Sequence, residues 1–364
     1  MEFKSVKQMS ATKQDILFIV NPKSGVGSKK ELSQMIRKLI DKQKYNLSIE
    51  KTKCVGHASD LARDAVARGV DVVVAVGGDG TVNEVARSLT GSDTALGVIP
   101  CGSGNGFARH LGIPMDVKRS ITFLNTAEPV SVDYGKINGI PFFCTCGVGF
   151  DAFVSNSFAH GARRGFLGYM HQTLVDWVNY KPEVYEIETE SSKKTYKAVL
   201  VACGNASQYG NNAFITPNAS MCDGHLCVTI LEPFPPVDVP VVLGQLFGHL
   251  LEKSGHIKML EAKWVRIKRV SSGPAHFDGE PVEMESEIFV EIVPSGIKVM
   301  ASPGWDGKSV AVPLYKQISD MISGSLPKMD IAFPKLDINF PKLPSSFGGR
   351  KKGRNGEGDD IAKS

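Results

Sequence analysis

The stretch Val72–Glu84, VVVAVGGDGTVNE, constrains this chain more than any other. Val72 to Val76 are apolar, mostly β-branched and too few for a buried helix, so the run predicts a buried strand. It passes directly into Gly77-Gly78-Asp79-Gly80-Thr81, and from Val82 the spacing turns helical. Strand, glycine turn and helix can cradle phosphate: glycines let backbone N–H groups come close, and a helix N-terminus favours negative charge. Asp79 is out of place in a plain anion cradle. A carboxylate beside a polyphosphate is repelled unless a cation intervenes or the carboxylate holds a reacting group. Asp79 therefore reads as a Mg²⁺-linked or acid/base residue. An isolated Gly-Gly-Asp-Gly is equally a tight turn, and the rest of the chain has to decide between the two.

Two more glycine loops follow apolar runs. Asp15–Val20 predicts a buried strand that enters Asn21-Pro22-Lys23-Ser24-Gly25-Val26-Gly27. A helix comes next, with Ser28 and Glu31 at capping-box spacing and Leu32, Ile36, Leu39 and Ile40 on one face. Asn21–Gly27 lacks the closing Gly-Lys-Ser/Thr of a Walker loop, so alone it is as well a plain strand–helix connection. Tyr45–Lys51 suggests a second strand, Thr52–Ala58 a loop and Ser59–Arg68 a helix. His57 has no His or Cys at ligand spacing and reads as a surface or packing histidine. Leu96–Pro100 is a further strand, feeding Cys101-Gly102-Ser103-Gly104-Asn105-Gly106-Phe107-Ala108-Arg109. This β-loop-α alternation implies a parallel sheet with helices on both faces. Its post-strand loops share the carboxyl edge, where open α/β sheets bind ligands.

Three motifs in this order, NPKSG at 21–25, GGDGTVNE at 77–84 and PCGSGNGFAR at 100–109, resemble the diacylglycerol kinase catalytic-domain family. These are ATP-dependent lipid kinases, a group that includes sphingosine and ceramide kinases. The resemblance runs to about residue 315. It implies a two-domain fold, an N-terminal parallel α/β nucleotide domain and a C-terminal β-rich antiparallel domain, with the active site in the cleft. The corresponding boundaries are 1–14 for a loose N-terminus, 15–130 for the nucleotide domain, 131–315 for the β-rich domain and 316–364 for a tail. The β-rich domain's last strand is open to returning to the first domain. The resemblance also implies ATP contacts at Asn21, Thr52, Gly77, Gly78, Asp79, Gly80, Thr81, Asn83 and Ser103, with Asp79 in the phosphoryl-transfer site. Gly102–Gly106 reads Gly-Ser-Gly-Asn-Gly where many bacterial diacylglycerol kinases have Gly-Thr-Ala-Asn-Asp, and sphingosine-kinase-like members share the former, so diacylglycerol and a sphingoid base both stand as acceptors.

After Pro114 the texture changes to consecutive strands, which favours antiparallel pairing. Val130–Lys136 and Pro141–Gly149 flank Asn138-Gly139, a hairpin signal. Tyr185–Glu190, Lys197–Ala202, Leu226–Leu231, Ala262–Val270, Ile288–Val293 and Gly296–Met300 read as strands, and Val237–Leu251 as an amphipathic helix. Gly147-Val148-Gly149-Phe150-Asp151 resembles a family Gly-x-Gly-x-Asp segment. Ser155–Tyr180, rich in aromatic and basic residues, is a wall of the lipid cleft or a surface helix. At Asn218–Leu226 the resemblance suggests a structural Mg²⁺ site, with the Asp223 carboxylate and the Ser220 and His225 carbonyls; Asp223-Gly224 is otherwise a turn. Cys222 stands where the family often has a second Asp. Phe277-Asp278-Gly279-Glu280 matches the family's late Asp-Gly-Glu motif. Phosphorylating a hydroxyl needs a carboxylate near the nucleophile, which makes Glu280 the candidate base, assisted by Asp79 across the interdomain cleft.

Composition narrows the partners. A net charge of +4 over 364 residues permits anionic substrates and anionic membranes without pointing to nucleic acid. Seven scattered cysteines, with Cys144 and Cys146 in an apolar stretch, fit free buried thiols and a reducing cytoplasm. No run reaches the roughly 18 apolar residues of a membrane span, so the expectation is a cytoplasmic protein in peripheral contact with a membrane lipid; a homodimer is left open. From Leu326 the segments LPKMDI, FPKLDI and FPKL repeat every seven residues, and the repeated proline forbids a continuous helix there. Two rivals remain: a NAD kinase-like enzyme with a soluble substrate, and a non-catalytic nucleotide-binding regulator. The presence of both Asp79 and Glu280 argues against the second.

Overall fold

A computed structural model describes residues 13–24, 29–152 and 180–310. The expectations for Ser28, for all of Ser155–Tyr180 except Tyr180, and for the tail lie outside these residues.

The first half alternates as its pattern predicts. Strands β1 (Gln14–Val20), β2 (Tyr45–Lys51), β3 (Val72–Gly77) and β4 (Ala95–Pro100) pair in parallel in the order β2-β1-β3-β4. Helices α1 (Lys29–Leu39), α2 (His57–Ala67), α3 (Asp79–Leu89), α4 (Gly106–His110) and α5 (Val117–Phe123) intervene or follow. Both faces of the sheet are covered, which is why its strands read as unbroken apolar runs rather than alternating ones. Ile16, Phe18 and Val20 of β1 pack with Ile36 and Ile121, whereas Leu17 and Ile19 pack with Ala62, Val85 and Leu89.

The second half is a sandwich. Strands β5 (Glu128–Ile137) and β6 (Ile140–Phe142) form a hairpin whose turn places Asn138 at φ 45° and Gly139 at φ 82°. One layer holds β8 (Glu183–Thr189), β9 (Lys193–Ala198), β13 (Trp264–Lys268) and β16 (Glu287–Ala301). The other runs in the order β12 (Ile257–Ala262), β11 (Leu226–Leu231), β10 (Leu200–Gly204), β7 (Thr145–Gly149), β14 (Gly273–Phe277), β15 (Glu280–Met284), antiparallel throughout. Tyr185, Ile187, Val265 and Ile288 of one layer meet Val148, Val201, Val228 and Ala275 of the other. Strand β16 joins the halves: it pairs in parallel with β4 and antiparallel with β5 and β13. The boundary drawn between 130 and 131 falls inside β5.

Several elements differ from expectation. Lys197–Ala202 is two strands, because the chain crosses from one layer to the other at Val199, whose N–H donates to Leu231 O while its carbonyl accepts from Phe150 N. Ala262–Val270 is likewise split, between β12 and β13. Ile288–Val293 and Gly296–Met300 are one 15-residue strand with a register shift between Val293 and Ile297. The expected helix at Val237–Leu251 is shorter, α6 (Val239–Phe247), and Val242 is its one buried residue.

Candidate active site

The carboxyl edge of the parallel sheet gathers the glycine loops. Gly77 ends β3, Gly78 is the N-cap of α3, and Asp79 opens that helix with no side chain capping its start. The third loop lies directly against this turn: a Cβ on Gly102 would stand 2.7 Å from the Gly78 Cα, so only glycine permits the approach. Asp79 fastens the two together. Its Oδ2 accepts the Asn105 N–H at 2.9 Å and its Oδ1 the Gly106 N–H at 3.0 Å. Asn105 (φ 52°) turns back to accept the Gly102 N–H and to donate to the Gly102 carbonyl. Arg109 Nε donates to the Gly104 carbonyl; burial lowers the Arg109 pKa while the Asp79 charge opposes that fall.

The first loop meets the same helix. Asn21 Nδ2 donates to Thr81 Oγ1 at 3.0 Å, and the Thr52 N–H donates to Val20 O. Asn21, Thr52 and Thr81 line one open cleft together with Lys23, Lys53 and Glu84. Glu84 also caps α2, accepting the Gly56 and Ala58 N–H groups. Ser103 is exposed on its loop, whereas Asn83 is 3% exposed with its Nδ2 unpartnered among the described residues. Asn83 thus lies inside the fold rather than on the cleft wall.

The second domain reaches α3 through Glu280. Arg87 donates to Glu280 Oε2 at 3.3 Å and lies over the Phe277 ring. The preceding Asp278 (φ 49°) points inward and accepts the N–H groups of Phe143, Cys144 and Thr145. Burial pushes Asp278 up to about 6, against those three donors and Arg87. Two turns of α3 separate Asp79 from Arg87, so one rigid helix positions both candidate carboxylates. The sequence reading missed Arg87, although it lies eight residues past Asp79 in the same helical pattern.

The Ser220–His225 turn is a separate place. Asp133 holds it, accepting the Gly224 N–H at 2.7 Å and the Ser295 N–H at 2.8 Å. Asp223 Oδ1 accepts the His225 N–H, and Asp223 Oδ2 stays outside these bonds. Cys222 Sγ donates to Ser131 O, and its pKa is raised by burial and then by nearby Asp133. Among the described residues no three His, Cys, Asp or Glu side chains gather around a common point. One carboxylate oxygen with backbone carbonyls is still a hard-oxygen set of the kind Mg²⁺ takes with water, to which a thiol adds nothing.

A parallel α/β sheet that passes its edge to a β-sandwich, with phosphate-type loops at the junction, is the architecture of two-domain lipid-kinase-like proteins. Residues 15–137 match the diacylglycerol kinase catalytic domain family, and residues 144–301 match the YegS C-terminal NAD kinase beta sandwich-like domain. A diacylglycerol kinase of Bacillus subtilis (strain 168) is 30% identical over 283 residues, 75% of this chain and 92% of that protein. A probable lipid kinase YegS-like protein of Chromohalobacter salexigens is 29% identical over 265 residues, 71% of this chain and 85% of that one. The crystal structure of a putative diacylglycerol kinase from Bacillus anthracis str. Sterne superposes with TM-score 0.69 at 26% identity, covering 80% of this chain and 99% of that one. The chain belongs to the diacylglycerol kinase and YegS-like family of lipid kinases. No described helix is long and apolar enough to cross a membrane.

Proposed function

We propose that the protein transfers the γ-phosphate of ATP to the hydroxyl of a membrane lipid, with diacylglycerol as acceptor and phosphatidic acid as product. The observation that carries this reading is the convergence on α3. Its first turn is joined to the Gly102–Gly106 loop through Asp79, and its Arg87 holds Glu280 of the other domain. Gly77–Thr81 would receive the phosphates at the helix N-terminus, with Asn21, Thr52 and Ser103 beside them. Mg²⁺ travelling with ATP supplies charge neutralisation at the transferred phosphoryl group. Asp79 fixes the loop geometry, and each of its oxygens keeps a lone pair for one more contact. Glu280, oriented by Arg87, would take the proton of the attacking hydroxyl late in transfer. Asp223 with the Ser220 and His225 carbonyls would hold a second, structural Mg²⁺. The name of the Bacillus subtilis relative supports diacylglycerol; a bilayer substrate calls for peripheral membrane contact, and the need for ATP calls for the cytoplasm.

The test is label transfer from γ-labelled ATP to mixed micelles of diacylglycerol or sphingosine and to soluble NAD, for wild type, Asp79→Asn and Glu280→Gln. Label in diacylglycerol that both variants lose supports the proposal. Label in sphingosine alone changes the acceptor, label in NAD alone moves the protein to a soluble substrate, and ATP binding without any transfer refutes diacylglycerol as acceptor and leaves another lipid or the non-catalytic reading.

A further inference from the structure

Arg109 carries a charge that the proposed reaction leaves unused. It lies on α4, half-buried, just past the Gly102–Gly106 loop. Its Nε donates to the Gly104 carbonyl at 3.0 Å and its Nη1 to Asn212 Oδ1 at 3.4 Å. Both acceptors are neutral. Among the described residues no carboxylate forms an ion pair with it, and Asp79 acts on it through charge alone. A guanidinium has five N–H donors and keeps its proton in proteins, so these two bonds leave it with spare donors and its whole charge. A cation largely withdrawn from water is normally paired. Beside a phosphate-type loop, the counter-charge that fits a guanidinium is a phosphate oxygen.

Asn212 comes from the other domain. It lies between β10 and β11, in a turn pressed onto the glycine loop. The Asn211 N–H donates to Gly104 O at 3.2 Å, and a Cβ on Gly210 would stand 3.0 Å from the Gly104 backbone. Gly106 is approached as closely: a Cβ there would stand 3.1 Å from the Tyr209 carbonyl oxygen. The buried Gln208 holds Asn212 in place, its Oε1 accepting the Asn212 N–H at 3.1 Å. Asn212 has a left-handed backbone, φ 62°. Glycine reaches that region without strain, and a larger residue kept there at a ligand loop marks a side chain with a task.

We infer that Asn212 is a positioning residue, which aims the Arg109 guanidinium at the terminal phosphate of the nucleotide without cancelling its charge. The inference rests on the ATP-dependent kinase reading above. An aspartate at 212 would make the stronger bond to Arg109 and neutralise it. A carboxamide accepts one N–H and leaves the charge whole for an anionic ligand. Arg109 feels the charge of Asp79, the carboxylate assigned to the phosphoryl-transfer site, so the phosphate it meets is the one transferred. Asn212 and Glu280 belong to the same domain. That domain then sets both the charge at the transferred group and the base at the attacking hydroxyl.

The experiment titrates the full chain with β,γ-imido-ATP and with ADP, each with Mg²⁺, by calorimetry. Wild type is expected to prefer the triphosphate about tenfold. Arg109→Gln removes the charge and brings that preference to about one, with the ADP affinity unchanged. Asn212→Gly deletes the carboxamide at a backbone angle that glycine takes freely; the preference falls to about threefold and the thermal midpoint stays. Asn212→Asp separates positioning from mere support. A supporting contact is strengthened by the new charge and keeps the preference, whereas a positioning contact loses the free charge of Arg109 and the preference falls to about one. A wild-type preference near one, or an Asn212→Asp or Asn212→Gly protein that keeps the wild-type preference, overturns the inference alone. So does an Arg109→Gln protein whose ADP affinity falls in step with its triphosphate affinity. Wild type that binds neither nucleotide overturns the ATP reading and the inference together.

Discussion

His110 should make the protein measurably acid-sensitive. Its ring is fully buried at the end of α4 and ties three segments together. Nδ1 accepts the Ser207 N–H at 3.0 Å, which places the proton on Nε2, where it donates to Gly307 O at 3.0 Å. Burial lowers His110 from 6.5 to about 4, against the opposing pull of Gly307 O and Asp306. The folded pKa lies below the unfolded one, so between them the unfolded chain binds the extra proton. The stabilisation is present above about pH 6.5 and is lost as the pH falls toward 4. At about pH 5 the medium is ~1.5 pH units below the free value, and at ~1.4 kcal/mol per unit the loss is about 2 kcal/mol. Urea unfolding of wild type and His110→Gln at about pH 7.5 and 5 isolates this amount, since every other titrating group is common to both. The variant should be less stable at neutral pH by about 1–3 kcal/mol, because it strands the Ser207 N–H. The gap should then close by about 2 kcal/mol on acidification. A gap that stays constant within about 0.5 kcal/mol would refute the assignment of His110 as a buried neutral imidazole.

Asp278 should behave in the opposite sense: its folded pKa of about 6 lies above the free 3.8. Its favourable contribution is therefore present below 3.8 and lost as the pH rises through 6, so wild type should lose about 3 kcal/mol relative to Asp278→Asn over that interval, read by urea unfolding. Gly102→Ala forces a Cβ onto the Gly78 backbone; thermal unfolding should show a loss of about 1–3 kcal/mol, and label transfer should fall with it. Arg87→Ala removes a partly exposed pair with Glu280, worth at most about 1 kcal/mol of stability. It should nevertheless lower kcat at least tenfold, because Glu280 loses the partner that orients it; an unchanged kcat would remove Glu280 from the reacting group.

The parallel half was legible because its signals are local. Val72–Val76 and Asp15–Val20 are apolar runs closed by glycine loops, and burial on both faces leaves nothing else for such a pattern to mean. The sandwich was less so. Apolar residues continue through Val199 while the chain changes layers, and periodicity carries no mark of which sheet a residue joins. Pro294, Ser295 and Gly296 read as a break, yet β16 absorbs them as a register shift held by Asp133. Asn21, Thr52 and Thr81 came together in one cleft, since loops after parallel strands share an edge. The bonds from Asp79 to Asn105 and from Arg87 to Glu280 span 26 and 193 residues. Such contacts are set by tertiary packing, and no local spacing announces them.

Strand β16 also orders events during synthesis. Among the described residues strand β5 pairs only with β16 and β6, and the far edge of β4 is closed by β16. A nascent chain that has emerged as far as residue 137 holds four parallel strands with an open edge and no partner for most of β5. Unpaired edges invite association with other chains, and contacts this distant in sequence form slowly. The parallel half must therefore wait on the ribosome for nearly the last of the described residues before its sheet is closed, and its early aggregation risk is the counterpart of the continuity that later binds the two domains.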